Sequence, residues 1–283
     1  MKTYLGITAL SHDASAAVVN ESGDILFAGH SERYTRVKND LWLDQELLND
    51  CLEANNGKQF DAVFYYEKPL LKKLRQFRAR QYNWAFTTSD MPKPYIKQFV
   101  DIKKFKSYGH HYTHATAGFY TSGFSDATVI VIDSIGEFET YTVWQAEYGV
   151  LKQVFSQKYP HSIGLWYSAM TQRLGLKPQE DEYILMGMAA YGDPNKYKAK
   201  ILTDMFNLKG MPNVYFKDNL HKGCLYWAPE LTSEQDKFDI AAATQEIYEE
   251  IFDGIVCHWR KQLPSRNLVL AGGCALNCVA NGK

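Results

Sequence analysis

No stretch of this chain is long and apolar enough to span a bilayer, no block of like charge marks a membrane-facing or nucleic-acid-binding tail, and no paired C-x-x-C spacing occurs. Basic residues are not in excess: the formal net charge is -1, which argues against a nucleic-acid partner. The five cysteines, Cys51, Cys224, Cys257, Cys274 and Cys278, are odd in number. They read as reduced, mostly buried thiols of a cytosolic protein. The first apolar run, Met1 to Gly6, gives way to Ser11, His12 and Asp13 and reads as a strand, not a signal peptide. What is present is ordinary globular composition, 46 % apolar and 22 % charged over 283 residues, enough for one large domain or two of common size.

The most informative stretch is Gly109-His110-His111-Tyr112-Thr113-His114-Ala115. In a helix, His110 and His114 project from one face at successive turns. Val129-Ile130-Val131-Ile132 then reads as a buried strand that delivers Asp133 at its C-terminal edge. Two imidazoles and one carboxylate form a facial donor set with open positions, suited to iron, manganese or zinc. The spacing alone equally suits one core histidine and one exposed one. The glutamate that follows the first histidine on a zinc-protease helix is replaced here by His111.

The chain carries one architectural pattern twice. Tyr4–Thr8, Ala14–Asn20 and Ile25–Gly29 read as an antiparallel meander, followed by a helical period over Leu41–Ala54 and a strand near Phe60–Tyr66. Lys72–Arg80 reads as a solvated helix face. Ala127–Asp133, Thr140–Ala146 and Val150–Gln157 repeat the meander, with helices and a strand at Asn267–Ala271 after it. This places one lobe over residues 1–126 and a second over 127–283. The first turn of each meander, Ser11–Ser15 and Ser134–Glu137, is then a candidate phosphate cradle or a plain hairpin loop. Ser162 can cap a helix running to about Leu174, with Gly164 in its first turn. Glu182–Gly192 is an apolar run with two glycines, and Leu270–Asn277 is a strand entering a Gly272-Gly273 turn.

Together these blocks resemble the carbamoyltransferases of nodulation and of antibiotic biosynthesis. The resemblance is carried by His12-Asp13-Ala14-Ser15, Glu32-Arg33 with Arg36 and Lys38, His110 through Ala115, and Asp133 with Gly136-Glu137. Ser162, Gly164, Tyr167, Leu185-Met186-Gly187 and Gly272-Gly273 with Ala275-Leu276-Asn277 complete it. It implies an α/β, duplicated actin-like ATPase fold (ribonuclease H-like, ASKHA), two lobes around a nucleotide cleft, shared with the tRNA threonylcarbamoyladenosine transferase. It implies transfer of a carbamoyl group from carbamoyl-adenylate, made from carbamoyl phosphate and ATP, to a hydroxyl of a small-molecule acceptor. His110, His114 and Asp133 would hold a divalent metal, iron before zinc or manganese. His12 would be the acid/base and Lys38 would stabilise developing charge. Ser134, Gly136, Ser162, Gly164, Glu182, Gly272, Gly273 and Asn277 would line the nucleotide site.

Three departures accompany the resemblance. Ile184 stands where the family carries lysine, and Ser134 where it carries glycine. The chain ends at Lys283, where the family continues into a further acidic ligand and a YrdC-like domain that forms the adenylate. The expectation is therefore a transfer domain that needs a further domain or chain. Its rivals are a small-molecule kinase of the same fold and a non-catalytic nucleotide-binding half of a split enzyme.

Overall fold

The computed structural model describes residues 1–11, 13–88, 91–207 and 209–283. The chain divides into two compact units, Met1–Thr113 and His114–Lys283.

In the first unit β1 (Thr3–Thr8), β2 (Ser15–Asn20) and β3 (Ile25–His30) form the antiparallel meander. After α1 (Glu32–Thr35) and α2 (Gln45–Ala54), β4 (Ala62–Tyr65) pairs parallel to β1. Next come α3 (Pro69–Arg78), α4 (Tyr82–Phe86) and α5 (Pro92–Ile96), and then β5 (Phe105–Ser107), parallel to β4. The strand order is β3-β2-β1-β4-β5. Strict alternation in β1 turns Leu5 and Ile7 into the core and leaves Tyr4, Gly6 and Thr8 half-exposed on the other face. The α2 helix starts at Gln45, later than the apolar period suggested, because the Asp44 carboxylate accepts from the Glu46 and Leu47 N–H groups. Its Leu47, Leu48 and Cys51 pack on the core face of that sheet.

The α6 helix (His110–Thr121) carries the boundary between the units within its first two turns. The second unit then runs through β6 (Asp126–Ile132), β7 (Glu139–Glu147) and β8 (Val150–Lys158), again an antiparallel meander. It continues with α7 (Ile163–Arg173), α8 (Glu182–Met188), α9 (Asn195–Met205), the short β9 (Phe206–Asn207) and β10 (Tyr215–Phe216), and α10 (Glu234–Gln262). It ends with β11 (Leu268–Ala271), parallel to β6, and α11 (Cys278–Asn281). The sheet order is β11-β6-β7-β8. The 29-residue α10 is about 43 Å long at 1.5 Å per residue. Its Ile240, Ile247 and Ile251 pack with Trp166, Met170 and Tyr141 in this unit's core.

Two sequence expectations are corrected. Only Cys51 and Cys224 are buried; Cys274 is half-buried, and Cys257 and Cys278 are exposed, because the last three sit on helix surfaces or in the glycine turn. Nor is Lys72–Arg80 solvated throughout: Arg78 and Arg80 are exposed and Lys72 and Lys73 half-exposed, but Arg75 and Gln76 face inward while Leu74 and Phe77 face out. Among the described residues, no helix is long and apolar enough to cross a membrane.

Candidate functional site

The C-terminal ends of the parallel strands β6 and β11 lie side by side and collect most of the residues singled out above. Asp133 follows β6 directly; its N–H donates to Thr140 O (3.0 Å), which holds it in the sheet's frame. Beside it, Gly272 takes φ +85° and brings its α-carbon against the Ile132 carbonyl, where a side chain would collide. A Cβ on Gly273 would sit 3.2 Å from Asp133 Oδ1. The two glycines therefore let β11 turn tightly past the aspartate.

The N-terminus of α7 meets the same corner. Ser162 Oγ accepts from Leu165 N–H (3.0 Å) and donates to Ser134 O (2.6 Å), so one hydroxyl caps the helix and ties it to the loop after β6. Such a cap stabilises by about 1 kcal/mol. Gly164 is needed for the approach: a Cβ there would lie 2.7 Å from Ser134 N and 2.8 Å from Ser134 Cα. The crowding at Gly164 thus comes from the chain's own backbone. Gly136 N–H donates to Glu139 O (2.9 Å), closing the Ser134–Glu137 loop as the hairpin turn between β6 and β7.

The α6 helix supplies the imidazoles. Gly118 is what brings it close: a Cβ there would lie 2.8 Å from Val269 Cγ1 on β11. His114 Nε2 lies 3.3 Å from Asp133 Oδ2. One turn earlier, the buried His110 meets the Tyr66 ring edge-on at 5.4 Å, and Thr113 Oγ1 donates to Tyr66 O (3.0 Å) and His110 O (2.7 Å). One donor atom from each of His110, His114 and Asp133 lies within 4.8 Å of the other two. Ligands held at about 2.1 Å from one ion on one face stand about 3.0–3.4 Å apart. The set therefore reaches a first-row divalent ion once its widest pair closes by up to about 1.8 Å, and two imidazoles with a carboxylate are the donors such ions take.

Two of the expected nucleotide-lining side chains have internal partners. Glu182 Oε1 accepts from Ser168 Oγ (2.5 Å) and Gln179 N–H (2.6 Å), joining α8 to α7. Asn277 Oδ1 caps α11 through Ala280 N–H (3.0 Å), and its amide donates to Gln245 Oε1 (2.9 Å). Gln245 also accepts from Tyr167 OH (2.7 Å) and donates to Glu249 Oε1 (2.8 Å). This α7–α10–α11 network was not visible in the sequence, since nothing local marks Gln245. Burial pushes the Tyr167 phenol well above its usual range, with the Glu182 charge adding to it. Cys274 also belongs to this corner: burial, then the charges of Asp133 and Glu182, push its thiol up.

In the first unit, Lys38 is exposed on the turn after α1. His12 lies outside the described residues. Between β1 and β2, Thr8 Oγ1 donates to Asp13 O (2.9 Å) and lies 2.8 Å from Ser15 Oγ. On the half-exposed face of that sheet is a cavity of about 510 Å³ with a small-residue floor (Gly6, Ala17, Ala28) and Phe64, Tyr66 and Tyr108 among its walls.

Comparison with known proteins agrees with this construction. Residues 66–283 match the family model described as carbamoyltransferase N-terminus. The uncharacterized protein sll1178 of Synechocystis is 34 % identical, covering 100 % of this chain and 52 % of its own. Nodulation protein NolNO of Sinorhizobium fredii is 26 % identical, covering 96 % of this chain and 42 % of its own. The chain thus spans about half the length of the curated relatives it matches. Among solved structures, Acidaminococcus fermentans (R)-2-hydroxyglutaryl-CoA dehydratase component A superposes with TM-score 0.50 at 13 % identity, over 100 % of this chain and 87 % of that one. The duplicated meander with its parallel fourth strand is the actin-like ATPase fold expected from the sequence.

Proposed function

We propose a function from one premise: this chain belongs to the carbamoyltransferase family. It is the transfer portion of an O-carbamoyltransferase, moving a carbamoyl group from carbamoyl-adenylate to the hydroxyl of a small molecule. The observation that carries this is the convergence of His110, His114 and Asp133 beside the Gly272-Gly273 turn and the α7 N-terminus. This is the C-terminal edge of a parallel strand pair, where α/β proteins bind ligands.

In the reaction proposed, the acceptor oxygen bonds to the carbamoyl carbon, the bond from that carbon to the adenylate phosphate oxygen breaks, and AMP leaves. The acceptor's proton passes to a base, for which His12 is the family's candidate. Lys38 is the candidate for offsetting charge on the carbamoyl or phosphate oxygens. His110, His114 and Asp133 would hold a divalent ion, which supplies Lewis-acid stabilisation of phosphate charge when bound. The turns Ser134–Gly136 and Gly272–Gly273 are proposed to approach the nucleotide by their close-packed backbone, with the Ser134 N–H held on Asp133 Oδ1 and the Gly136 N–H on Glu139 O. Ser162, Gly164, Glu182 and Asn277 act by shaping that wall, since their contacts are to the chain itself. Formation of the adenylate from carbamoyl phosphate and ATP is assigned to the part of the full-length relatives that this chain does not span.

Calorimetric titration with a non-hydrolysable carbamoyl-adenylate analogue, with and without added Fe(II) or Mn(II), tests the reading. Binding that tightens with metal and weakens in Gly273→Val supports it. Failure to bind the analogue, or transfer of the γ-phosphate of ATP to a hydroxyl compound, overturns it in favour of a kinase.

A further inference from the structure

The outer face of the first unit's sheet carries a row of residues with almost no side chain. Gly6 on β1 stands opposite Ala17 on β2, and Ala17 opposite Ala28 on β3. The floor they make crosses three strands, a span of about 10 Å at the usual strand spacing. Phe64 on β4, the parallel partner of Gly6, closes one end of the row. Two residues along each strand, Thr8, Ser15 and His30 are paired in the same way and give the trough a polar wall. All seven line the cavity of about 510 Å³, a volume ordinary for small-molecule sites.

Among the described residues, nothing crowds Gly6. It lies in β1 without a positive φ, and a Cβ there would meet only Ala17 O, at 3.8 Å. Gly118 and Gly164 differ, since a Cβ on either would strike the chain itself. A β-branched residue is favoured at a half-exposed strand position. Glycine there weakens the strand and marks a place where something else approaches closely.

The lining says what that is. The floor offers no polar side chain, and its backbone is paired within the sheet, so a polyol laid on it would leave hydroxyls unsatisfied. A flat apolar ring loses nothing there and meets Phe64 and Tyr108, whose rings stand 5.8 Å apart. Among the described residues, neither the exposed His30 imidazole nor the Tyr108 hydroxyl has a hydrogen-bond partner, so both can take the polar edge of such a ring. Tyr66 connects the cavity to the candidate metal centre: it lines the one and meets His110 of the other edge-on at 5.4 Å.

We propose that this trough seats the acceptor, and that the acceptor is a hydroxyl compound with a flat, apolar ring. The assignment to an acceptor rests on the transfer function proposed above; the site itself does not.

Fluorescence titration of umbelliferone, a flat bicyclic phenol, into the 283-residue chain tests it, with methyl glucoside as competitor. Saturable binding is expected that methyl glucoside does not displace. Gly6→Val and Ala17→Val, which fill the floor, should each weaken it about tenfold or more. Gly6→Val should also unfold at the wild-type temperature or above, because valine suits the strand. No binding of umbelliferone, equal binding by wild type and both variants, or displacement by methyl glucoside overturns the proposal. So does a Gly6→Val variant that unfolds earlier, since packing would then be what keeps the floor small. Neither metal nor nucleotide enters these readouts. Umbelliferone binding that Gly6→Val abolishes, in a chain that fails to bind the adenylate analogue, keeps the site and removes its assignment to an acceptor; analogue binding without umbelliferone binding keeps the transfer function and removes the site.

Discussion

Replacing Gly164 by alanine puts a methyl group where the first turn of α7 rests on the loop after β6. The new Cβ would lie 2.7 Å from Ser134 N, 2.8 Å from Ser134 Cα and 2.9 Å from Asp133 C, all backbone atoms, against an ordinary contact of 3.4 Å or more. Helix or loop must therefore shift by roughly half an ångström or more, and overpacking of that kind costs about 1–3 kcal/mol. At about 2–4 °C per kcal/mol for a unit of this size, the midpoint should fall by about 2–12 °C. The Ser162–Ser134 hydrogen bond would strain with it. Gly187→Ala is the control: it lies in α8, with nothing within 4 Å of the added Cβ. Helix propensity there should leave stability unchanged or raise it by up to about 1 kcal/mol. Differential scanning calorimetry of both variants reads the comparison. If Gly164→Ala unfolds at the wild-type temperature, the close contact between α7 and the Asp133–Ser134 backbone is refuted.

Other consequences follow from the second unit's polar contacts and from the thiols. A disulfide-exchange reagent should modify Cys257 and Cys278 quickly, while Cys51 and Cys224, buried with their thiols pushed up to about 12, react only on unfolding. Fast reaction of either buried thiol in native protein would contradict the packing. The Asp236 carboxyl is held below the usual carboxylate range by the Ser233 and Tyr197 hydroxyls and then by Lys196, and the Asp204 carboxyl by Lys200 and Trp227. Their contribution is present above the unfolded value of about 3.9 and is lost as pH falls towards the depressed folded values. Asp236→Asn should therefore flatten the acid limb of stability against pH below about 4; an unchanged limb would refute the coupling. Gln245→Leu removes the partner of Tyr167, Glu249 and Asn277 at once. It should cost about 2–4 kcal/mol by chemical denaturation, since each buried group left unsatisfied costs about 1–3 kcal/mol.

Much of the fold was legible because its signals are local. Alternation in β1 and the unbroken apolar run of β6 marked the strands, and their recurrence marked the duplication. At the candidate site, the four-residue histidine spacing and the glycine pair were visible because a helix turn and a positive φ at Gly272 leave short-range marks. What was not legible depends on residues far apart. Gln245 meets Tyr167 across 78 positions and Asn277 across 32, so neither contact leaves a local pattern. The α10 helix was equally hidden, because it buries Asp239, Thr244, Gln245 and Glu249 among its apolar residues and blurs the amphipathic period. The direction in which α3 faces could not be read either. Its period shows that two faces exist, while only tertiary packing decides which one is covered.

The most direct test of the central claim is elemental analysis of protein purified without chelators, wild type beside the His110→Ala, His114→Ala double variant. About one iron, manganese or zinc ion per wild-type chain is expected, and its loss from the variant. Metal that raises the wild-type unfolding temperature but not the variant's would locate the ion in the folded site. A metal-free wild type after reconstitution with each of the three ions, or a variant that keeps its metal, would contradict it.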